Sequence, residues 1–126
     1  MSSTPQLNAV NWFEIPVSDL GRAQQFYQTL LARPLERMNF AGTDMVYISF
    51  SQEGIGGALV TDQNRPSLDG TTVYLNANPE LDPVLARVAA AGGKLLTPRT
   101  ELPENMGVFA VIQDSEGNRV GLHADR

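Results

Sequence analysis

The sequence predicts an α+β domain of two βαβββ modules, and three observations carry that prediction. The chain is 126 residues long, enough for one hydrophobic core and too short for two independent ones. Strand-like and helix-like segments follow one another in the same order twice. The two runs also superimpose at a nearly constant offset. Trp12–Val17 spans the interval of Thr72–Ala77 and Leu35 falls on Leu95, both 60 positions on. Met45 falls on Met106 at 61 and Ala58 on Gly121 at 63, the drift that small loop insertions produce.

Taken in order, residues 10–17 have strand character, with Phe13, Ile15 and Val17 on one side. The next stretch has helical spacing: Leu20, Ala23, Phe26, Tyr27, Leu30 and Leu31 share a face, Ser18 or Asp19 can cap its start, and Pro34 stops it. Three strands are expected at 35–40, 45–50 and 56–61, separated by the turn-rich stretches 41–44 and 51–56. Gly54-Ile55-Gly56-Gly57 precedes a strand and not a helix, so it reads as a turn and bulge and not as a phosphate-binding loop. The second module runs through a strand at 71–77, a helix at 79–92 and strands at 94–99, 107–113 and 119–125. In the turn Asp114-Ser115-Glu116-Gly117-Asn118, Gly117 is expected at positive φ. Ala89–Ala91 let the second helix lie close to the sheet, and a glycine ends it. The module boundaries fall at about 7–62 and 71–125, with 63–70 as linker and Met1–Gln6 as a loose tail.

Nine Lys and Arg stand against fourteen Asp and Glu, a formal charge of −5 with no basic cluster. That removes the electrostatic footprint of nucleic-acid binding. No apolar run is long enough to span a bilayer and no basic, hydrophobic leader opens the sequence, so a cytoplasmic protein with no membrane partner is expected. With no cysteine, any chemistry rests on His, carboxylates or hydroxyls.

The repeated unit, with Ile15-Pro16-Val17-Ser18-Asp19 leading into the first helix and Asp114–Leu122 leading into the last strand, resembles the vicinal oxygen chelate superfamily. That superfamily includes glyoxalase I, bleomycin resistance proteins, extradiol dioxygenases and fosfomycin-resistance proteins. The resemblance implies curved mixed sheets forming a cup, helices outside, a ligand inside, and a homodimer. Strand alternation then turns Val10, Trp12, Glu14 and Pro16 into the cup, with Thr72, Tyr74 and Asn76 from the second module. Gly56, Ala58 and Val60 face the same way, as do Arg119, Gly121 and His123.

Metal-dependent relatives place His, Glu or Gln at one position on the first and last strand of each module. Counted back from Asp19, the resemblance puts these positions at Trp12, Ala58, Thr72 and Gly121. None is a usual ligand: an indole N–H only donates, Ala and Gly offer no side-chain donor atom, and a lone hydroxyl binds weakly. No metal or other cofactor is therefore expected, although Glu14 and His123, each two residues along the strand from a lost position, could recruit a weak ion.

The expected ligand-binding set is Trp12, Glu14, Thr72, Tyr74, Asn76, Arg119 and His123. Trp12 and Tyr74 offer flat surface with a polar edge, or fill core volume. Thr72 and Asn76 offer hydrogen bonds to a ligand, or satisfy the strand rim. Glu14 needs a partner, either Arg119 or a bound molecule. His123, the single histidine, is a hydrogen-bonded strand-end residue or a general base. The main expectation is metal-independent binding of a small organic molecule. The alternatives are a lyase, isomerase or transferase of the glyoxalase type using Glu14 or His123 as general base, and an interaction module whose cup is filled by side chains.

Overall fold

A computed structural model describes residues 8–51, 53–61 and 64–126. The tail expected at Met1–Gln6 lies outside them, as do positions 7, 62 and 63 at the expected boundaries. Strand β1 (Trp12–Pro16) leads into helix α1 (Leu20–Leu31). Asp19 caps the helix, its Oδ1 accepting the Arg22 amide at 3.0 Å, which satisfies one of the donors a helix start leaves unpaired. The helix closes at Ala32, in the left-handed region at φ 56. Ala23, Phe26, Tyr27 and Leu30 on its expected apolar face are buried, flanked by half-buried Leu20 and Leu31.

Strands β2 (Glu36–Phe40), β3 (Thr43–Ser49) and β4 (Gly56–Val60) complete the first sheet, in the order β1-β4-β3-β2. Only β1 and β4 pair in parallel. The second sheet repeats the pattern with β5 (Val73–Asn76), β6 (Lys94–Glu101), β7 (Val108–Gln113) and β8 (Arg119–Ala124), in the order β5-β8-β7-β6 and with β5 and β8 parallel. Both sheets are open and mixed. The β3–β4 register shifts beside Gly57, and a Cβ on Gly56 would run into the Ser49 carbonyl oxygen, so the expected bulge requires glycine there.

Two elements differ from expectation. The helix expected over 79–92 is two short ones, α2 (Leu81–Leu85) and α3 (Val88–Ala91). Between them the Arg87 amide turns back to Val84 O at 3.0 Å, a three-residue closure that breaks the ladder, and the Arg87 side chain reaches Leu30 O at 3.0 Å. The strand expected to end at Arg99 continues to Glu101. It passes Pro98 because β6 is an edge strand, where a missing amide hydrogen costs no ladder bond, and the register shifts there.

One core serves both sheets: Ile15 and Leu59 from the first and Leu75 and Leu122 from the second join Phe26 and Leu30 of α1. Burying each such side chain stabilises the fold by about 1.5–3 kcal/mol. The turn 114–118 fastens the halves together. The Tyr27 hydroxyl donates to Asp114 Oδ2 at 2.6 Å, and Asn118 Nδ2 donates to Pro16 O at 2.7 Å. The Glu116 side chain, inaccessible to solvent, accepts the Ser18 and Asp19 amides at 3.0 and 2.9 Å and Arg22 Nε at 2.6 Å. A carboxylate here meets unpaired amides at the positive end of α1. Burial pushes the Glu116 pKa up, but the Arg22 hydrogen bond and the backbone donors outweigh it and hold the carboxyl below its ordinary range. Burial, then the charge and hydrogen bond of Asp114, push the Tyr27 hydroxyl well above its ordinary value. Gly117 takes the expected positive φ, at 92. No described helix is long and apolar enough to cross a membrane.

Candidate functional site

The helices cover one face of each sheet, and the cup candidates lie on the other. On β1, Ile15 is buried in the core while Glu14 is exposed and Trp12 half-buried. The ladder sets Glu14 beside Ala58 and Ala58 beside Tyr47. Trp12 meets Tyr47 edge-on at 5.9 Å and Phe50 at 6.4 Å, and Tyr47 and Phe50 stack at 5.4 Å. This face of the first sheet is an aromatic wall. The Trp12 indole donates to Glu14 Oε2 at 3.4 Å, a long bond.

On the second sheet the Tyr74 ring covers Gly121, its ladder partner: a Cβ on Gly121 would clash with the ring at Cδ2 and Cε2. Tyr74 is nonetheless 50% exposed, so the ring is a shelf with one face on the backbone and the other open. Phe109 stands edge-on to it at 6.1 Å. His123, paired with Asn76 on one side and Phe109 on the other, bonds through Nε2 to Met106 O at 2.7 Å. A carbonyl only accepts, so that nitrogen carries the proton, and in the neutral ring Nδ1 keeps its lone pair. Asn76 Oδ1 accepts the Asn78 amide at 2.8 Å, which leaves its NH2 group as donor.

Six of the seven candidates are divided among three cavities, and Trp12 lines none of them. Tyr74, Asn76 and His123 line one of about 610 Å³ with Leu102 and Phe109. Thr72, with Tyr74 and Asn76, lines another of about 770 Å³ beside Phe13 and Arg33. Glu14 and Arg119 line a third of about 410 Å³. The Glu14–Arg119 ion pair weighed from the sequence is not made. Glu14 takes the Trp12 indole, and Arg119 Nε donates to Thr72 Oγ1 at 3.2 Å. Glu14 and His123 stand on different sheets and line different cavities, so they are not brought together around an ion.

At the four positions that the resemblance assigned to metal ligands, the groups present do not fit a divalent ion. The Trp12 N–H is turned to Glu14, Ala58 is fully buried without a donor, the Thr72 hydroxyl is taken by Arg119, and Gly121 is roofed by Tyr74. Among the described residues, no three His, Asp or Glu side chains gather as ligands. Sequence reasoning missed Phe109, Leu102, Tyr47 and Phe50. Phe109 was within reach: a five-residue turn at 114–118 pairs Gln113 with Arg119, and counting outward pairs Phe109 with His123.

Residues 10–45 match the family described as bleomycin resistance protein-like N-terminal. The whole architecture is similar to a glyoxalase/bleomycin resistance protein from Albidiferax ferrireducens T118, at 20% identity and TM-score 0.71 over 93% of this chain and 98% of that one. It is also similar to a glyoxalase-related enzyme from Fulvimarina pelagi, at 18% identity and TM-score 0.66 over 94% and 88%. The fosfomycin resistance protein FosX from Listeria monocytogenes matches at 16% identity and TM-score 0.66 over 94% of each chain. This is the vicinal oxygen chelate fold. No curated protein sequence matches the chain. Within the vicinal oxygen chelate fold, a ring lies on the last-strand glycine and an indole on the first strand, at two of the positions that the sequence resemblance assigned to metal ligands.

Proposed function

We propose that the protein binds a small, flat organic molecule without a metal, on the free face of the second sheet. The observation that carries this reading is the Tyr74 shelf over Gly121. A ring held from below by backbone is an immobile stacking surface, so a planar ligand loses little to ordering its host. Phe109 supplies a second apolar wall, and the Asn76 NH2 and His123 Nδ1 supply one donor and one acceptor at the rim. A few polar groups around an apolar floor is the usual composition of a small-molecule site. The donor chemistry at Trp12, Ala58, Thr72 and Gly121 favours metal independence. We further propose a homodimer. Phe40 on the edge strand β2 and Phe50 just after β3 are each 68% exposed, and a second copy covering them removes apolar surface that a lone chain leaves in water.

Calorimetric titration of the metal-stripped protein with a panel of planar heteroaromatic compounds tests the reading. Binding that survives chelator and weakens at least tenfold in Tyr74→Ala is expected. Binding that requires a divalent ion, or is indifferent to Tyr74, overturns it.

One observation favours a second reading, a lyase, isomerase or transferase of the glyoxalase type. With Nε2 committed to Met106 O, His123 Nδ1 is available as a general base. In that case turnover follows a pH profile that His123→Gln abolishes while binding persists. Glu14 is the other candidate base, in the cavity it shares with Arg119.

A further inference from the structure

We infer a second binding site in the seam between the two sheets, for a small organic acid that carries a hydrogen-bond donor beside its carboxylate, an amino or hydroxy acid. The cleft of about 410 Å³ is bounded by β1, the segment 64–71 and the start of β8; it shares no lining residue with the cavity of Phe109 and His123, and shares Phe13, Thr71 and Val73 with the cavity of Thr72. Arg119 and Arg65 reach it from the second-sheet side and the connecting segment, and Glu14 from the first sheet. The chain is acidic overall, so two arginines and one glutamate lining a single cleft run against its overall charge.

Opposite charges sharing a cleft ordinarily pair. Here, among the described residues, no ion pair joins Glu14 to Arg119 or Arg65. The guanidinium of Arg119 is half-buried and anchored through Nε on Thr72 Oγ1. That bond fixes its plane without neutralising it, leaving the terminal nitrogens as a fork for a carboxylate. Across the cleft the Glu14 carboxylate makes only the long Trp12 contact and keeps further acceptor sites for a donor on the bound molecule. A molecule carrying a carboxylate alone meets repulsion from Glu14, whereas an ammonium or hydroxyl beside the carboxylate satisfies both walls. Phe13, Ile15, Val73 and Val120 form the apolar sides, which reduce solvent screening of both contacts.

The test is heteronuclear NMR on the full-length labelled protein, titrated separately with glycine, glycolate and acetate. Saturable shifts are expected at the amides of Gly70, Thr71 and Asn118 and at Arg119 Nε. Glycine and glycolate should bind more tightly than acetate, and Phe109 and His123 should stay still. Arg119→Gln should weaken glycine binding by about tenfold or more, and Glu14→Gln should narrow the margin over acetate. If Arg119→Gln does not fold, Arg119→Lys keeps the charge, loses the fork and should still weaken binding. Three results overturn the site: no saturable shift in the seam, equal affinity for acetate and glycine, or seam signals that move with protein concentration and not with the acids. The last would show a second copy occupying the cleft. Because the aromatic shelf lies elsewhere, these outcomes leave the Tyr74 reading to its own titration.

Discussion

Tyr74 and Gly121 form one unit: the ring rests on the glycine of the neighbouring parallel strand, in a position that any Cβ would deny it. Gly121→Ala must displace the ring or the strand, an overpacking that costs about 1–3 kcal/mol. Thermal melts should show this loss, and titration of the folded fraction should show ligand binding weakened at least as much as in Tyr74→Ala. Unchanged affinity in folded Gly121→Ala would mean that the shelf is not the binding surface.

The buried bond from Tyr27 to Asp114 joins α1 to the second sheet. Tyr27→Phe leaves one acceptor of a buried carboxylate short of a partner, although Asn118 Nδ2 still donates to Asp114 Oδ2 at 3.1 Å. A loss of about 1–3 kcal/mol in denaturant unfolding is expected. Ligand affinity should be unchanged, since neither residue lines the Tyr74 cavity.

Glu116 makes the protein acid-sensitive in a defined direction. Its folded pKa lies below the ordinary value of 4.5, so its contribution is fully present above that value and is lost as pH falls through the lower, folded pKa. Glu116→Gln should be less stable than the wild type at neutral pH and should lose less on acidification. Parallel unfolding curves for the two proteins across the acid range would contradict the assignment.

The exposed aromatics of the first sheet predict self-association. Sedimentation velocity should give a dimer for the wild type, and Phe40→Asp should shift it toward monomer while circular dichroism stays unchanged. A wild-type monomer at micromolar concentration would remove the homodimer from the account.

Local pattern made much of this fold legible. The face of α1 repeats at helical spacing, and the strands of both halves alternate, so the burial of Phe26, Leu30 and Ile15 follows from sequence alone. The 60-residue offset carried the duplicated topology. What stayed hidden is non-local. The break at Arg87 accompanies a side-chain bond to Leu30 O, fifty-seven positions away, and the passage of β6 through Pro98 depends on that strand lying at an edge. In the turn 114–118 the glycine was legible but Glu116 was not, because its partners at Ser18, Asp19 and Arg22 lie more than ninety positions away. The candidate site divides in the same way. Alternation says that Glu14, Tyr74, Arg119 and His123 leave the core, but no local signal says which cavity each one joins.

The most direct test of metal-independent binding is native mass spectrometry of the purified protein with elemental analysis of the same sample. A dimer with substoichiometric divalent metal that gains the mass of a planar ligand on titration, with no ion added, is expected. One tightly held divalent ion per chain, lost together with ligand binding in His123→Ala or Glu14→Ala, would contradict it.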